Sequence, residues 1–149
     1  MPPRAFGVTV PADARYLKVV RAFFKPVLEE HFGEESGMII LALDESCSNI
    51  VKHQSKNLDD GMITARVQVT ESLVRLRIGD FCGQEDVENI RPRDLQDVRP
   101  GGLGTHFVDQ IMDHVAFEPE PGKPGRLALV LEKKIPEGKQ EDGEPRNPR

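Results

Sequence analysis

Leu41 to His53 reads Leu-Ala-Leu-Asp-Glu-Ser-Cys-Ser-Asn-Ile-Val-Lys-His, and the rest of the chain is organised around this stretch. At about 100° per residue in a helix, Ile39, Leu43, Cys47, Ile50 and Val51 point one way. Glu45, Asn49 and Lys52, at i, i+4 and i+7, fall together on the opposite side. One face can pack on a sheet while the other presents a carboxylate, an amide and an ammonium in a row. A solvated polar face is the ordinary meaning of such a pattern. A second meaning opens only with Gly101-Gly102-Leu103-Gly104, further down the chain.

Upstream of the stretch, Asp13 is a plausible N-cap for a helix running to about Phe32, with Leu17, Val20, Phe24, Val27 and Leu28 at helical spacing. Pro26 is expected to kink that helix or end it early. Before it, Ala5 to Val10 reads as an edge strand closed by Pro11. After Gly33 the second helix spans Ser36 to Gln54.

Downstream, Asp59-Asp60-Gly61 is a turn that opens a hairpin. Ile63, Ala65, Val67 and Val69 alternate in its first strand, Met62 to Val69; Val74, Leu76 and Ile78 alternate in its second, Leu73 to Ile78. The long irregular segment Asp80 to Pro100 has the length of a lid, with a short helix expected around Arg93 to Asp97. The glycine cluster leads into a helix from Thr105 to His114, whose apolar face is Phe107, Val108, Ile111 and Met112. Val115 to Glu118 and Arg126 to Lys134 form a final hairpin. Residues 1–135 make one domain by this reading, and 136–149 a disordered polar tail.

A chain of 149 residues suits one domain with a real core. Its net charge of −5, with no basic stripe among aromatics, argues against direct nucleic-acid binding. No apolar run approaches the ~18 residues of a membrane span, and the N-terminus lacks the apolar centre of a signal peptide. Two cysteines are too few for a disulfide framework, so a cytoplasmic location is expected. The element order β-α-α-β-β-lid-α-β-β predicts an α+β, two-layer architecture, not an alternating dinucleotide-binding fold.

Taken singly, each motif has a plain structural meaning. The glycine cluster can be a flexible turn, Asp80 a turn residue after a strand, and Cys47 a core residue. His53 reads as a structural hydrogen-bonder, and His31, His106 and His114 lack metal-ligand spacing. As an ordered set they say more. Glu45-x-x-x-Asn49 on a helix, Asp80 at the end of a hairpin strand and Gly101-Gly102-Leu103-Gly104 opening the next helix resemble the GHKL (Bergerat) ATP-binding fold. Arg-Pro-Gly-Gly-Leu-Gly with Met112-Asp113 downstream is particularly similar to the anti-sigma-factor serine/threonine kinases of bacterial partner-switching systems. The resemblance runs from about residue 5 to residue 134.

It implies a two-layer α/β sandwich: a mixed, mostly antiparallel sheet with helices on one face. It also implies ATP and Mg²⁺ as cofactors. Asn49 would supply the protein oxygen to the metal, since Mg²⁺ keeps several waters and leans on the phosphates. Glu45, one turn earlier, would take the proton from an incoming hydroxyl. Lys52 and Arg99 would neutralise phosphate charge. Gly101, Gly102, Leu103, Gly104 and Thr105 would bring backbone N–H groups and a helix N-terminus to the phosphates. Asp80 would accept from the adenine amine. Asp80-Phe81-Cys82-Gly83 stands where the family has Asp-x-Gly, so the glycine, Gly83, is one place late or is replaced by Cys82.

The function implied is an ATP-dependent serine/threonine protein kinase acting as an anti-sigma factor on a small antagonist protein. Its partners would be that antagonist and a sigma factor, and relatives of this group commonly form homodimers. The alternative is a non-catalytic GHKL-like module that sequesters a sigma factor or another regulatory partner. Glu45 favours the kinase, because a pure binder has no use for a base there; Cys82 favours the module.

Overall fold

The computed structural model describes residues 4–54, 61–82, 102–122 and 126–137. β1 (Arg4–Pro11) leads through a 3-10 turn (Ala14–Tyr16) into α1 (Leu17–Phe32). The Asp13 carboxylate accepts from the Arg15 backbone N–H at 2.9 Å, so it caps that short turn and not α1 itself. The Arg15 side chain bonds the same carboxylate, holding its pKa below the usual carboxylate range. A second 3-10 turn (Gly33–Glu35) joins α1 to α2 (Ser36–Gln54). Gly33, at φ 59° and ψ −123°, takes a positive-φ conformation open to glycine where α1 closes.

The second half holds β2 (Met62–Val69), β3 (Leu73–Cys82), α3 (Gly102–Ile111), β4 (His114–Pro119) and β5 (Arg126–Lys134). The sheet order is β1-β2-β3-β5-β4. All four pairings are antiparallel, a narrower outcome than the mixed sheet expected. The edge position of β1 follows the sequence reading.

The three helices share one face of the sheet, with α2 packed between α1 and α3. Alternation in the strands sets what they cover: Ile63, Ala65, Val67, Leu76, Ile78, Leu129 and Leu131 meet Phe24, Leu28, Phe32, Ile39, Leu43 and Ile50 in one buried cluster. An ion pair between Arg21 and Asp44 ties α1 to α2 beside that core. The opposite face of the sheet carries charge in a register the strands impose. Arg75 pairs with Glu132 at 3.4 Å, and Arg77 reaches Glu118 at 3.0 Å and Glu120 at 3.6 Å. Val130 and Ala128 are nonetheless fully buried on β5.

Three expectations change. α1 continues past Pro26 to Phe32, so the proline does not end it early. Pro26 and Ala22, one turn before it, both lie on the exposed side, where water can satisfy the Ala22 carbonyl that loses its N–H partner. α3 begins at Gly102 and stops at Ile111; it does not run from Thr105 to His114. Its end is fixed from outside: Lys133 Nζ donates to the Ile111 carbonyl at 2.7 Å, a cation at a helix C-terminus. The Asp113 N–H then donates to the Glu132 carbonyl, and the Lys134 N–H to Asp113 Oδ2, so the chain is already pairing with β5 at Asp113. β3 also continues past Ile78 to Cys82. The lid expected at Asp80 to Pro100 falls, beyond Cys82, outside the described residues, as does the tail from residue 138. Ile135, buried and bonded through its N–H to the Ser72 carbonyl, is the last anchored residue before that point.

Candidate functional site

Helix α2 forms as its periodicity requires. Ile39, Leu43, Cys47 and Ile50 are all buried, and Val51 packs partly against the same core. Ala42 and Ser46 extend this face; the Ser46 hydroxyl donates to the Ala42 carbonyl one turn back, at 2.8 Å, which lets a polar side chain be buried without loss. Burial pushes the Cys47 thiol up to about 12, with Asp44 adding to the shift and Arg21 opposing it. Cys47 is therefore a neutral core residue, not a nucleophile.

With that face anchored, the stripe is fixed in direction. Glu45 and Asn49 are half-buried and Lys52 is exposed. Among the described residues, none of the three has a side-chain hydrogen bond or ion pair. A half-buried carboxylate and amide with open hydrogen-bonding capacity, one turn apart, make a polar shelf with room for a ligand. No three His, Cys, Asp or Glu residues gather into a metal-binding group among the described residues.

The glycine segment lies on the helix that packs beside α2. Gly102, Leu103, Gly104 and Thr105 form the first turn of α3, and α3 packs along α2. The glycines therefore contribute helical backbone, with free N–H groups at the helix start, where the sequence reading had a loop ahead of the helix. Asp80 lies on β3, the central strand, over which α2 passes. The β3–β5 register shifts between Ile78 and Phe81, so Asp80 stands at a bulge. Bulges recur beside functional sites. Nothing in the alternation of Val74, Leu76 and Ile78 signals this bulge, because it exists only against β5. Gly83, Arg99 and Gly101 lie outside the described residues.

Met38 and Leu41 also belong here, although nothing in the sequence pattern marks them out. Both are large, apolar and nearly half exposed, at 46% and 48%, on the helix that carries Glu45.

Comparison with known proteins agrees with this architecture. The family model described as the histidine kinase-like ATPase domain matches residues 10–130. The serine-protein kinase RsbW of Staphylococcus aureus is 29% identical, over 76% of this chain and 78% of its own. RsbW of Listeria monocytogenes serotype 4a is 29% identical over 68% of each chain, and that of Bacillus pumilus 26% identical over 76% and 77%. The matched span runs from the last residues of β1 to the middle of β5, taking in the α2 stripe, Asp80 and the start of α3. The chain belongs to the histidine kinase-like ATPase domain family, the GHKL type of ATP-binding fold.

Proposed function

We propose that this chain is an ATP-dependent serine/threonine protein kinase that acts as an anti-sigma factor, phosphorylating a small antagonist protein and holding a sigma factor. One observation carries the reading. Glu45 stands half-buried and without a partner among the described residues, one helical turn from Asn49, on the helix that packs along α3, whose first turn holds Gly102 and Gly104. A module that only binds a partner gives no reason for an open carboxylate at that point. The similarity to proteins named serine-protein kinase RsbW supports the same assignment.

In this reading the β- and γ-phosphates lie against the first turn of α3, where unpaired N–H groups and the helix dipole favour negative charge. Lys52 adds a cation at the far end of the α2 stripe. Mg²⁺ fits the donor set, since Asn49 offers one amide oxygen and the phosphates supply others; bound there, it would neutralise charge on the phosphates. Asp80 selects adenine through its exocyclic amine. Glu45 accepts the proton of a serine or threonine hydroxyl as that oxygen bonds to the γ-phosphorus and the bond to the ADP oxygen breaks. Cytoplasmic action and a homodimer belong to the same proposal.

The test separates the roles. ATP with Mg²⁺ should raise the melting temperature of the wild type, by ~2.7 kcal/mol of stability at one hundred times the dissociation constant. Asn49→Ala should weaken that effect. Glu45→Gln should keep it, while lowering phosphoryl transfer to an antagonist by ~10²-fold or more. A Glu45→Gln protein that transfers phosphate at the wild-type rate removes the base assignment. A wild type that binds a sigma factor and transfers to no antagonist leaves the sequestering module as the function.

A further inference from the structure

A kinase that uses Glu45 as base must admit its acceptor hydroxyl from one side and the nucleotide from another. In that reading the nucleotide side is the C-terminal half of the α2 stripe, toward Asn49 and Lys52. The N-terminal half is different in kind. Met38 lies seven residues before Glu45 and Leu41 four, so in helix geometry they fall about 20° and 40° from it around the axis. They are therefore on the Glu45 stripe, about 10 Å and 6 Å back along it. Both are close to half exposed, whereas Ile39, Ala42 and Leu43 beside them are fully buried. The stripe thus runs from apolar through carboxylate and amide to ammonium.

Resting on the kinase reading above, we infer that Met38 and Leu41 form the docking step for the acceptor segment of the protein substrate. They select an antagonist that carries an apolar side chain two or three residues from its phosphorylated serine or threonine. The spacing follows from the geometry: an extended segment advances about 3.3 Å per residue, so a residue two or three places from a hydroxyl at Glu45 reaches Leu41 and then Met38. The occupant is fixed by continuity with the base. A segment that runs along the stripe and delivers a hydroxyl to Glu45 from the side away from Asn49 and Lys52 passes over these two side chains. Solvent-exposed apolar residues at this point bury area only when that segment arrives, which turns them into a specificity element for the acceptor and not for ATP.

The experiment uses the full chain and a panel of purified small antagonist domains from the same genome, with ATP and Mg²⁺. Met38→Gln and Leu41→Gln keep helix propensity and length while removing apolar surface. The double variant should raise KM for the phosphorylated antagonist by ~10-fold or more, with kcat, KM for ATP and melting temperature unchanged. Replacing the antagonist's apolar residue by Asp should have the same effect, and combining the two changes should add little further. Unchanged KM in the double variant overturns the docking step while leaving Glu45 and the kinase reading intact. Unchanged KM with lost sigma-factor binding assigns the stripe to that partner and overturns the proposal equally. If the wild type phosphorylates no antagonist, the kinase reading fails and the docking step falls with it.

Discussion

The buried thiol of Cys47 makes a test of how tightly α2 is held, because its ionisation and the burial of the helix are the same event. In the folded chain its pKa is pushed from 9.0 to about 12 by burial, with Asp44 adding to the shift. The folded state therefore prefers the neutral thiol. This contribution is fully present below about pH 9 and is lost as the pH rises toward about 12. At about 1.36 kcal/mol per pH unit, that interval amounts to about 4 kcal/mol in all, and about 2 kcal/mol of it is gone by pH 10.5. The comparison must be with Cys47→Ala, which keeps every other titratable group. That variant should be less stable at pH 7 by ~1 kcal/mol, for the small cavity left beside Leu43 and Ile50. Its stability should then fall less steeply with pH, so the two curves cross near pH 10. Urea unfolding at pH 7, 9, 10 and 10.5, in a Cys82→Ser background that leaves a single thiol, reads the difference directly. Parallel curves would show that Cys47 is not desolvated and that α2 does not seat on the sheet as described.

Other consequences can be measured in the same way. Pro26→Ala restores a helical N–H on an exposed turn of α1 and should stabilise the fold by about 2 kcal/mol, the helix-interior penalty of proline less its restraint on the unfolded chain; a lower melting temperature would mean that Pro26 is part of how α1 seats on the core. Gly79→Ala should destabilise by about 1–3 kcal/mol: a Cβ at Gly79 would lie 2.4 Å from Glu120 Oε1 and 3.1 Å from the Ala128 side chain. Adding Glu120→Ala should recover part of that loss, and no recovery would locate the strain in the β3–β5 backbone. Arg21→Ala, Asp44→Ala and the double variant should give a coupling of about 1 kcal/mol that shrinks in high salt, because the pair is only partly sheltered; zero coupling at low salt would mean the helices are held by their apolar contacts alone.

What could be read in advance was whatever local periodicity controls. The buried set Ile39, Leu43, Cys47 and Ile50 and the alternation from Ile63 to Ile78 follow from one helix turn and one pleat. The two-layer architecture follows from their order. What was missed depends on contacts between distant segments. The start of α3 at Gly102 runs against the low helix propensity of glycine, so local preference does not place it. Its end at Ile111 is set by Lys133 and Glu132 on β5, so no pattern within 102–114 could reveal it. The bulge at Asp80 exists only as a mismatch between β3 and β5. The charge ladder Arg75–Glu132 and Arg77–Glu118 needs the sheet register before its partners can be named. For the site, Glu45, Asn49 and Lys52 were legible as a stripe because one helix carries all three. Met38 and Leu41 were not singled out, since an exposed methionine or leucine looks like any core residue until burial is known.

The sheet order has a further consequence in time. β3 is bonded on one side to β2, its neighbour in sequence, and on the other to β5, the last strand. Leu73 pairs with Lys134, about sixty residues later, which at ~5–20 residues per second is roughly 3–12 s of synthesis. For that interval β1, β2 and α1 have their partners, while the strand at the centre of the finished domain is an open edge rich in Val74, Leu76 and Ile78. The nascent chain is most exposed to aggregation then, and the hairpin of β4 and β5 ends the exposure by capping that edge.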